Sequence, residues 1–427
     1  MRFDDAIAEL DGRQPNRLVP DLDRIRGVAD LLDHPERRYP AIHITGTNGK
    51  TSTARLAGRM LCSHGLATGV YTSPHLASVT ERIALCDEPI AEPEFAETYA
   101  HLLPVLEEVE REAADRVTYF ETLTALAYLW FADKPVDAGV FEVGMGGTWD
   151  ATNLVDGRVA VVCEIGLDHP QLGSTVEEVA REKSGIIKPG AVAVVQRQRP
   201  EAMAVLEARA AAVGAEVRLE GRDFAAADRE LGVGGQRLRI EGLQGEYAGL
   251  LLPLHGEHQA RNAACAVAAC EALLGRDLSP DALLEALGGA TSPGRMEVVK
   301  RHPLVVLDGA HNPDGAEALA AALGETFVWR RLHLVIGVLR DKDVDGIVGA
   351  LASRADVGYA TASSSDRALE AEAMAAACLR AGVPATPHRS VADALGAAEA
   401  AAGENDLIVV TGSLYTVADA RRRYVED

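Results

Sequence analysis

Apolar and polar positions along this chain switch repeatedly between two periods. The pattern predicts helices over 4–10 and 20–33, then a strand over 40–44, and helical spacing resumes from residue 50 to Met60. Further apolar runs predict strands at Gly69–Thr72, Ala138–Val143 and Val159–Ile165. Between Gly232 and Leu254 apolar positions alternate and are interrupted by glycine, which predicts antiparallel strands, and an alanine-rich helix follows over 260–274. Thr291-Ser292-Pro293-Gly294 breaks the pattern as a turn-rich linker. Beyond it, strands are predicted at 303–308, 332–337, 356–361 and 406–411, with helices between them. Such alternation specifies the α/β class with mainly parallel sheets. The expected division is a first domain over 1–290, with a parallel central sheet and a small antiparallel sheet, a linker over 291–296, and a smaller Rossmann-like α/β domain over 297–427.

The strand at 40–44 runs into Thr45-Gly46-Thr47-Asn48-Gly49-Lys50-Thr51-Ser52 and then into a helix. A strand, a glycine-rich turn, Lys-Thr and a helix together form a phosphate cradle. Glycines let backbone N–H groups close around phosphate oxygens, and the helix N-terminus adds partial positive charge. Lys50 would reach the outer phosphates and the Thr51 hydroxyl would take a place on Mg²⁺. Gly46, Thr47, Asn48, Gly49, Lys50, Thr51 and Ser52 are therefore candidate ATP contacts, and the first domain is read as a P-loop ATPase domain. The alternative is a glycine-rich β–α turn with no ligand. Ile44 stands where the longer G-x-x-x-x-G-K-[ST] pattern has its first glycine, so the loop takes the compact form Gly46-x-x-Gly49-Lys50-Thr51.

Composition narrows the partners. A formal net charge of −22 disfavours nucleic acid and anionic membranes, and no apolar run approaches the roughly 20 residues of a membrane span. Aromatics make up only 4% of the chain against 48% hydrophobic residues, which predicts a core resting on Ala, Val, Leu and Ile. The six cysteines form no Cys-x-x-Cys pair and predict neither a disulfide framework nor a zinc site. With an N-terminus that lacks the layout of a secretion signal, a reduced cytoplasmic setting is expected. Only six lysines occur against 36 arginines. A retained lysine therefore marks a place where a primary amine is wanted, and Lys50 and Lys183 both fall in motifs.

Two strand ends carry further chemistry. Strand 138–143 delivers Glu142, a carboxylate beside the phosphate loop where a Mg²⁺ ligand belongs; alone it would read as an ordinary acid at a strand end. The strand ending at Ile165 leads to Gly166-Leu167-Asp168-His169. His169 could ligate a metal or satisfy a buried hydrogen bond. Lys183 closes a predicted helix and has two readings: an ion-pair partner for a glutamate of the same helix, or an amine carbamylated by CO₂ into an anionic metal ligand.

Taken together, these motifs resemble the folylpolyglutamate synthase/dihydrofolate synthase family of the Mur ligase superfamily. The resemblance runs along nearly the whole chain. It includes Thr72-Ser73-Pro74-His75-Leu76, Glu81-Arg82-Ile83, Thr118-Tyr119-Phe120-Glu121-Thr122, Gly146-Gly147-Thr148-Trp149-Asp150-Ala151-Thr152-Asn153, Glu182-Lys183-Ser184-Gly185, Pro293-Gly294-Arg295 and Asp308-Gly309-Ala310-His311-Asn312-Pro313. It implies that Ser73 and Glu142, with Thr51, hold a Mg²⁺ at the β- and γ-phosphates. Glu142, His169 and carbamylated Lys183 would surround a second Mg²⁺. Asn262, Arg295, Asp308 and His311 would hold ATP, and Arg82, Thr118, Phe120, Asp150 and Ala151 would line a pterin pocket. Two departures stand out: Thr148 replaces the family's usual Arg, and the spacer Pro170-Gln171 after His169 is one residue short.

The resemblance implies an ATP-dependent, ADP-forming amide ligase of folate biosynthesis. It would add L-glutamate to dihydropteroate, to the γ-carboxyl of reduced folates, or to both, through an acyl phosphate. Lys50, Lys183, His169 and Arg295 would serve the chemistry, with domain closure excluding water. A monomer is expected. The nearest rival is a Mur ligase acting on a UDP-linked substrate, against which only 45 residues precede Gly46. A nucleotide-binding module without ligase chemistry is the rival of another class.

Overall fold

The computed structural model describes residues 1–14 and 19–425. Two compact units emerge: Met1–Glu230 with Arg237–Leu251 and Ala260–Ala290, and Thr291–Asp427 with Leu231–Gln236 and Leu252–Gln259. The first holds an eight-stranded sheet made of β1 (Pro40–Thr45), β2 (Thr68–Tyr71), β3 (Ile83–Leu85), β4 (Glu88–Pro89), β5 (Ala138–Glu142), β6 (Asp156–Val162), β7 (Val192–Val195) and β8 (Glu216–Leu219). Their order is β4-β3-β2-β5-β1-β6-β7-β8. The run from β2 to β8 is parallel, and β3 and β4 turn antiparallel at one edge.

This order positions the site. β1 lies between β5 and β6, and all three are parallel, so the loops leaving their C-terminal ends emerge together. The phosphate loop follows β1, Glu142 ends β5, and the Cys163–His169 segment follows β6. A crevice at such a point is where open parallel sheets bind ligands.

Two of the apolar clusters in this unit differ in kind. One is aliphatic, built from residues such as Val162, Val176, Ile186 and Leu206. The other gathers the aromatic residues around Phe141, whose ring lies 5.5 Å from Tyr128, 5.7 Å from Phe131 and 6.0 Å from Tyr71. The expectation of a core resting on aliphatic residues holds for the Val162 cluster and for that of the second unit, around Val306, Leu323 and Leu334, whereas the Phe141 cluster adds rings to its aliphatic residues. Few aromatics occur, but they are concentrated where helix Tyr119–Asp133 is buried on nearly every side.

β9 (Ala225–Gly232), β10 (Gly235–Glu241) and β11 (Glu246–Leu252) form the small antiparallel sheet, which begins seven residues ahead of the predicted start at Gly232. In the second unit β12 (Glu297–Arg301), β13 (Leu304–Leu307), β14 (Leu332–Ile336), β15 (Val357–Thr361), β16 (Ala385–His388) and β17 (Leu407–Thr411) pair in the order β12-β13-β17-β14-β15-β16. Only β12 runs antiparallel. The predicted strand over 159–165 lies three residues earlier as β6, because Cys163 onward is drawn into the loop, where the Glu164 carbonyl accepts from Thr47 N at 2.8 Å.

One expectation fails. Cys62 and Cys86 form a disulfide with their Cα atoms 5.8 Å apart. Cys62 lies in the last turn of the helix Lys50–Ser63, and Cys86 sits in the β3–β4 turn against it, a proximity that a 24-residue separation does not reveal. The other four cysteines are free and buried. The cysteines therefore lend no support to a reduced compartment.

Candidate functional site

The phosphate loop is shaped by what glycine permits. Gly49 is the residue before helix Lys50–Ser63 and has φ +90°; a Cβ there would lie 2.6 Å from Asn262 Oδ1. At Gly46 (φ +150°) a Cβ would lie 2.6 Å from the Cβ of Cys163. The loop is thus packed against the segment leaving β6 on one side and against helix Glu257–Leu274 on the other. Asn262 is fixed in turn, accepting from Gln196 Nε2 at 3.0 Å. Lys50 Nζ donates to the carbonyls of Gly46 (3.1 Å) and Thr47 (3.2 Å). The Thr47 hydroxyl turns inward, donating to Gly166 O and accepting from Gly166 N, both at 2.9 Å, so it fastens the loop after β6. Asn48 is half-buried in the turn and Ser52 is buried in the first helical turn.

Glu142 gathers three of the predicted metal residues. Its carboxylate, 1% exposed, accepts from Thr51 Oγ1 at 2.8 Å and from the backbone N–H of Ser73 at 3.0 Å. Among the described residues no three His, Cys, Asp or Glu side chains converge as a metal cage. The donor set suits Mg²⁺ all the same, because that ion is commonly held by one or two carboxylates and completed by phosphates and water.

Lys183 ends helix Val176–Lys183, which starts from a capping box made by Thr175 and Glu178. The helix carries its amine into the protein, 3% exposed, where Nζ donates to Gly46 O at 2.8 Å. Burial, with the neighbouring Lys50 charge, lowers its pKa from 10.5 to about 7. Lys50, Lys183, Asp168 and His169 line one small cleft, together with glycines and apolar residues that follow the three strands and with Leu172 and Val179. His169 is one-third exposed and pairs with Asp168 at 3.2 Å.

A second group lies on the edge side of the same unit. Arg82 Nε donates to His75 Nδ1 at 2.9 Å, and its guanidinium carbon lies 5.4 Å from the centre of the Tyr119 ring. Phe120 is half-buried beside Tyr71, with ring centres 6.0 Å apart, and abuts Gly144. Thr118 caps helix Tyr119–Asp133, accepting from Glu121 N. Asp150 and Ala151 are buried: the Asp150 carboxyl accepts from Met145 N at 2.9 Å and from Thr152 N at 3.0 Å, and Ala151 O accepts from the Tyr128 hydroxyl at 2.8 Å. Burial raises the Asp150 pKa despite those bonds.

In the second unit Asp308 follows β13 and is buried, accepting from Met296 N and Ala310 N, both at 2.9 Å. Burial raises its pKa while the Arg295 charge opposes the rise. Arg295 Nη1 donates to Gly294 O at 3.1 Å and packs on Gly309, and His311 Nδ1 lies 2.8 Å from Gly309 O. The three residues predicted from the linker and second domain thus form one cluster.

Known proteins resemble this chain along nearly its whole length. Residues 44–270 match the Mur ligase middle domain and residues 294–414 the glutamate ligase domain of Mur ligases. The dihydrofolate synthase/folylpolyglutamate synthase of Mycobacterium tuberculosis is 42% identical over 455 residues, covering 98% of this chain and 93% of that protein. The chain belongs to the folylpolyglutamate synthase/dihydrofolate synthase family. It is an ATP-dependent ligase. The folylpolyglutamate synthase of Lacticaseibacillus casei is 34% identical over 436 residues, covering 99% of this chain and 98% of that one. A solved structure of the Mycobacterium tuberculosis folylpolyglutamate synthase complexed with ADP matches with a TM-score of 0.96 at 42% identity, covering 100% of this chain and 98% of that chain.

Sequence reasoning missed two residues of this ligase. Asp168, inside the quoted Gly-Leu-Asp-His run, lines the cleft and pairs with His169. His75, inside the Ser-Pro-His run, meets Arg82. Neighbouring motif letters were the available signal in both cases. Thr148 donates from its N–H to Glu182 Oε1 at 2.8 Å and so ties its loop to the helix that carries Lys183.

Proposed function

We propose that this ligase adds L-glutamate both to dihydropteroate and to the γ-carboxyl of reduced folates, forming ADP and phosphate through an acyl phosphate. One observation carries the reading: the amines of Lys50 and Lys183 both reach the Gly46 carbonyl of the phosphate loop, beside the Thr51–Glu142–Ser73 cluster. A carboxylate is a poor electrophile, so amide formation in water needs activation. The γ-phosphoryl group passes from ATP to the acceptor carboxylate, the glutamate amine attacks the acyl phosphate, and phosphate leaves.

In this mechanism the protein contributes no nucleophile. Gly46, Asn48, Gly49, Lys50 and Ser52 cradle the phosphates, and Thr47 holds the loop in shape. Lys50 and Arg295 offset charge on the transferring oxygens. Asn262, Asp308 and His311 bind the nucleotide. Thr51, Ser73 and Glu142 would hold one Mg²⁺, and Glu142, His169 and carbamylated Lys183 a second. Mg²⁺ so bound supplies positive charge to the phosphoryl group. An uncharged amine is the form that attacks CO₂, and a lysine with its pKa near 7 presents that form at neutral pH. Arg82, Thr118 and Phe120 would receive the pterin, with Asp150 and Ala151 shaping the wall behind it. The reading includes a division at 291–296, a monomer and a cytoplasmic setting.

The experiment is glutamate-dependent ADP release, measured with dihydropteroate and then with tetrahydrofolate. Turnover with both acceptors supports the dual activity, and turnover with neither refutes the folate reading. With an oxygen-18-labelled acceptor carboxylate, one label must appear in the released phosphate.

A further inference from the structure

The run from His75 to Arg82 is closed on itself in a way the proposed mechanism does not use. Glu81 accepts from three consecutive backbone amides, Leu76 N at 2.9 Å, Ala77 N at 2.7 Å and Ser78 N at 2.9 Å. A carboxylate clamped by three amides holds the turn rigidly. The clamp brings the residue before the turn, His75, against the residue after it, Arg82. Because the Arg82 Nε always carries a proton, the His75 nitrogen that receives it must be bare, and the imidazole proton then sits on Nε2. Fixing Nε orients the whole planar guanidinium, since the plane contains that bond. The orientation it takes is over the half-buried ring of Tyr119.

We propose that His75 is a positioning residue for the acceptor: as a hydrogen-bond acceptor it holds Arg82 over Tyr119, so that a cation stacked on an aromatic ring meets the flat heteroaromatic ring of the substrate ready-ordered. The proposal rests on the assignment of Arg82 to the pterin site. A long arginine gives up much rotamer freedom when it binds, and His75 removes that cost before the acceptor arrives. The effect therefore falls on acceptor binding, and the phosphate loop is untouched.

The test compares Arg82→Ala, His75→Leu and His75→Asn in steady-state ADP release, with dihydropteroate or tetrahydrofolate varied against saturating ATP and glutamate. His75→Leu removes the acceptor atom and is expected to raise the KM for the pterin substrate about tenfold, with kcat and the KM for ATP within about twofold. His75→Asn offers Arg82 an amide oxygen and is expected to return that KM to within about threefold of the parent. Thermal stabilisation by ADP, measured on each variant, reports that the phosphate loop is intact. An unchanged KM in His75→Leu overturns the proposal. So does an Asn variant no better than the Leu variant, or an equal rise in the KM for ATP. If Arg82→Ala has no effect on the pterin KM, the assignment of Arg82 itself falls. A large Arg82→Ala effect beside a silent His75→Leu overturns only the role given to His75.

Discussion

Gly49→Ala measures how much of the phosphate loop depends on glycine. The alanine would hold φ near +90° and place its Cβ 2.6 Å from Asn262 Oδ1. A left-handed backbone costs a residue with a side chain about 1–2 kcal/mol. Moving Asn262 aside breaks its 3.0 Å bond from Gln196, a loss of about 1 kcal/mol for a buried pair. The smaller entropy of the unfolded alanine chain offsets about 0.4–1 kcal/mol. The net loss is about 2 kcal/mol. Gly65 provides the comparison: its φ is +83° but nothing lies within 4 Å of a Cβ built there. Gly65→Ala should therefore pay for backbone strain alone, and lose about 1 kcal/mol or less. Urea unfolding of both variants gives the stabilities, and calorimetric titration with ADP gives the affinities. Gly49→Ala should bind ADP at least about tenfold more weakly, because a displaced loop loses about 1.4 kcal/mol or more of phosphate contact. In an Asn262→Ala background the clash disappears, and the stability penalty of Gly49→Ala should fall to that of Gly65→Ala. Equal penalties for the two glycines, with ADP affinity unchanged, would refute the reasoning.

Other outcomes follow from the same geometry. Glu142→Gln keeps the shape of the side chain that receives Thr51 and Ser73 but removes its charge, so Mg²⁺-dependent turnover should fall by about 10² or more while the metal-free affinity for ADP changes little; a Mg²⁺ titration of both forms checks it. Lys188 is largely buried and donates to Asn153 O at 2.9 Å, and burial lowers its pKa to about 8. Between about pH 8 and 10.5 the unfolded chain binds more protons than the folded one, so Lys188 makes stability rise with pH across that window. The cost of Lys188→Met should thus be larger at pH 10 than at pH 7.5 by up to about 2 kcal/mol in urea unfolding, and a pH-independent cost would contradict the assignment. The Cys62–Cys86 bond closes a 24-residue separation, worth about 3 kcal/mol by loop entropy. Cys62→Ser, or reduction of the parent, should lower the urea midpoint accordingly; a midpoint insensitive to reductant would show that the bond is not formed.

Much of the fold and part of the site were legible in the chain. β1, the phosphate loop and its helix stand almost where the pattern puts them, because local chemistry decides them: a β-period run, glycines at left-handed positions, then Lys-Thr opening a helix. The four predicted strands of the second unit coincide with β13, β14, β15 and β17 to within a residue at each end. The edge strands β4, β8, β12 and β16 were not legible. They are short and partly exposed, so little apolar pattern marks them, and pairing with a neighbour makes them strands.

By itself the sequence determined the α/β class, the phosphate loop, and the resemblance to the family. Those features reside in local periodicity and in residue types whose chemistry few others can replace. Tertiary structure alone decided which motif letters meet. Placing β1 between β5 and β6 brought Glu142 to Thr51 and Lys183 to Gly46, across 91 and 137 residues of chain. It also turned the Thr47 hydroxyl inward to Gly166, joined Cys62 to Cys86, and buried an amine that in water would stay charged. The physical reason is that burial and through-space charge depend on neighbours remote along the chain, and the packing of strands and helices selects those neighbours.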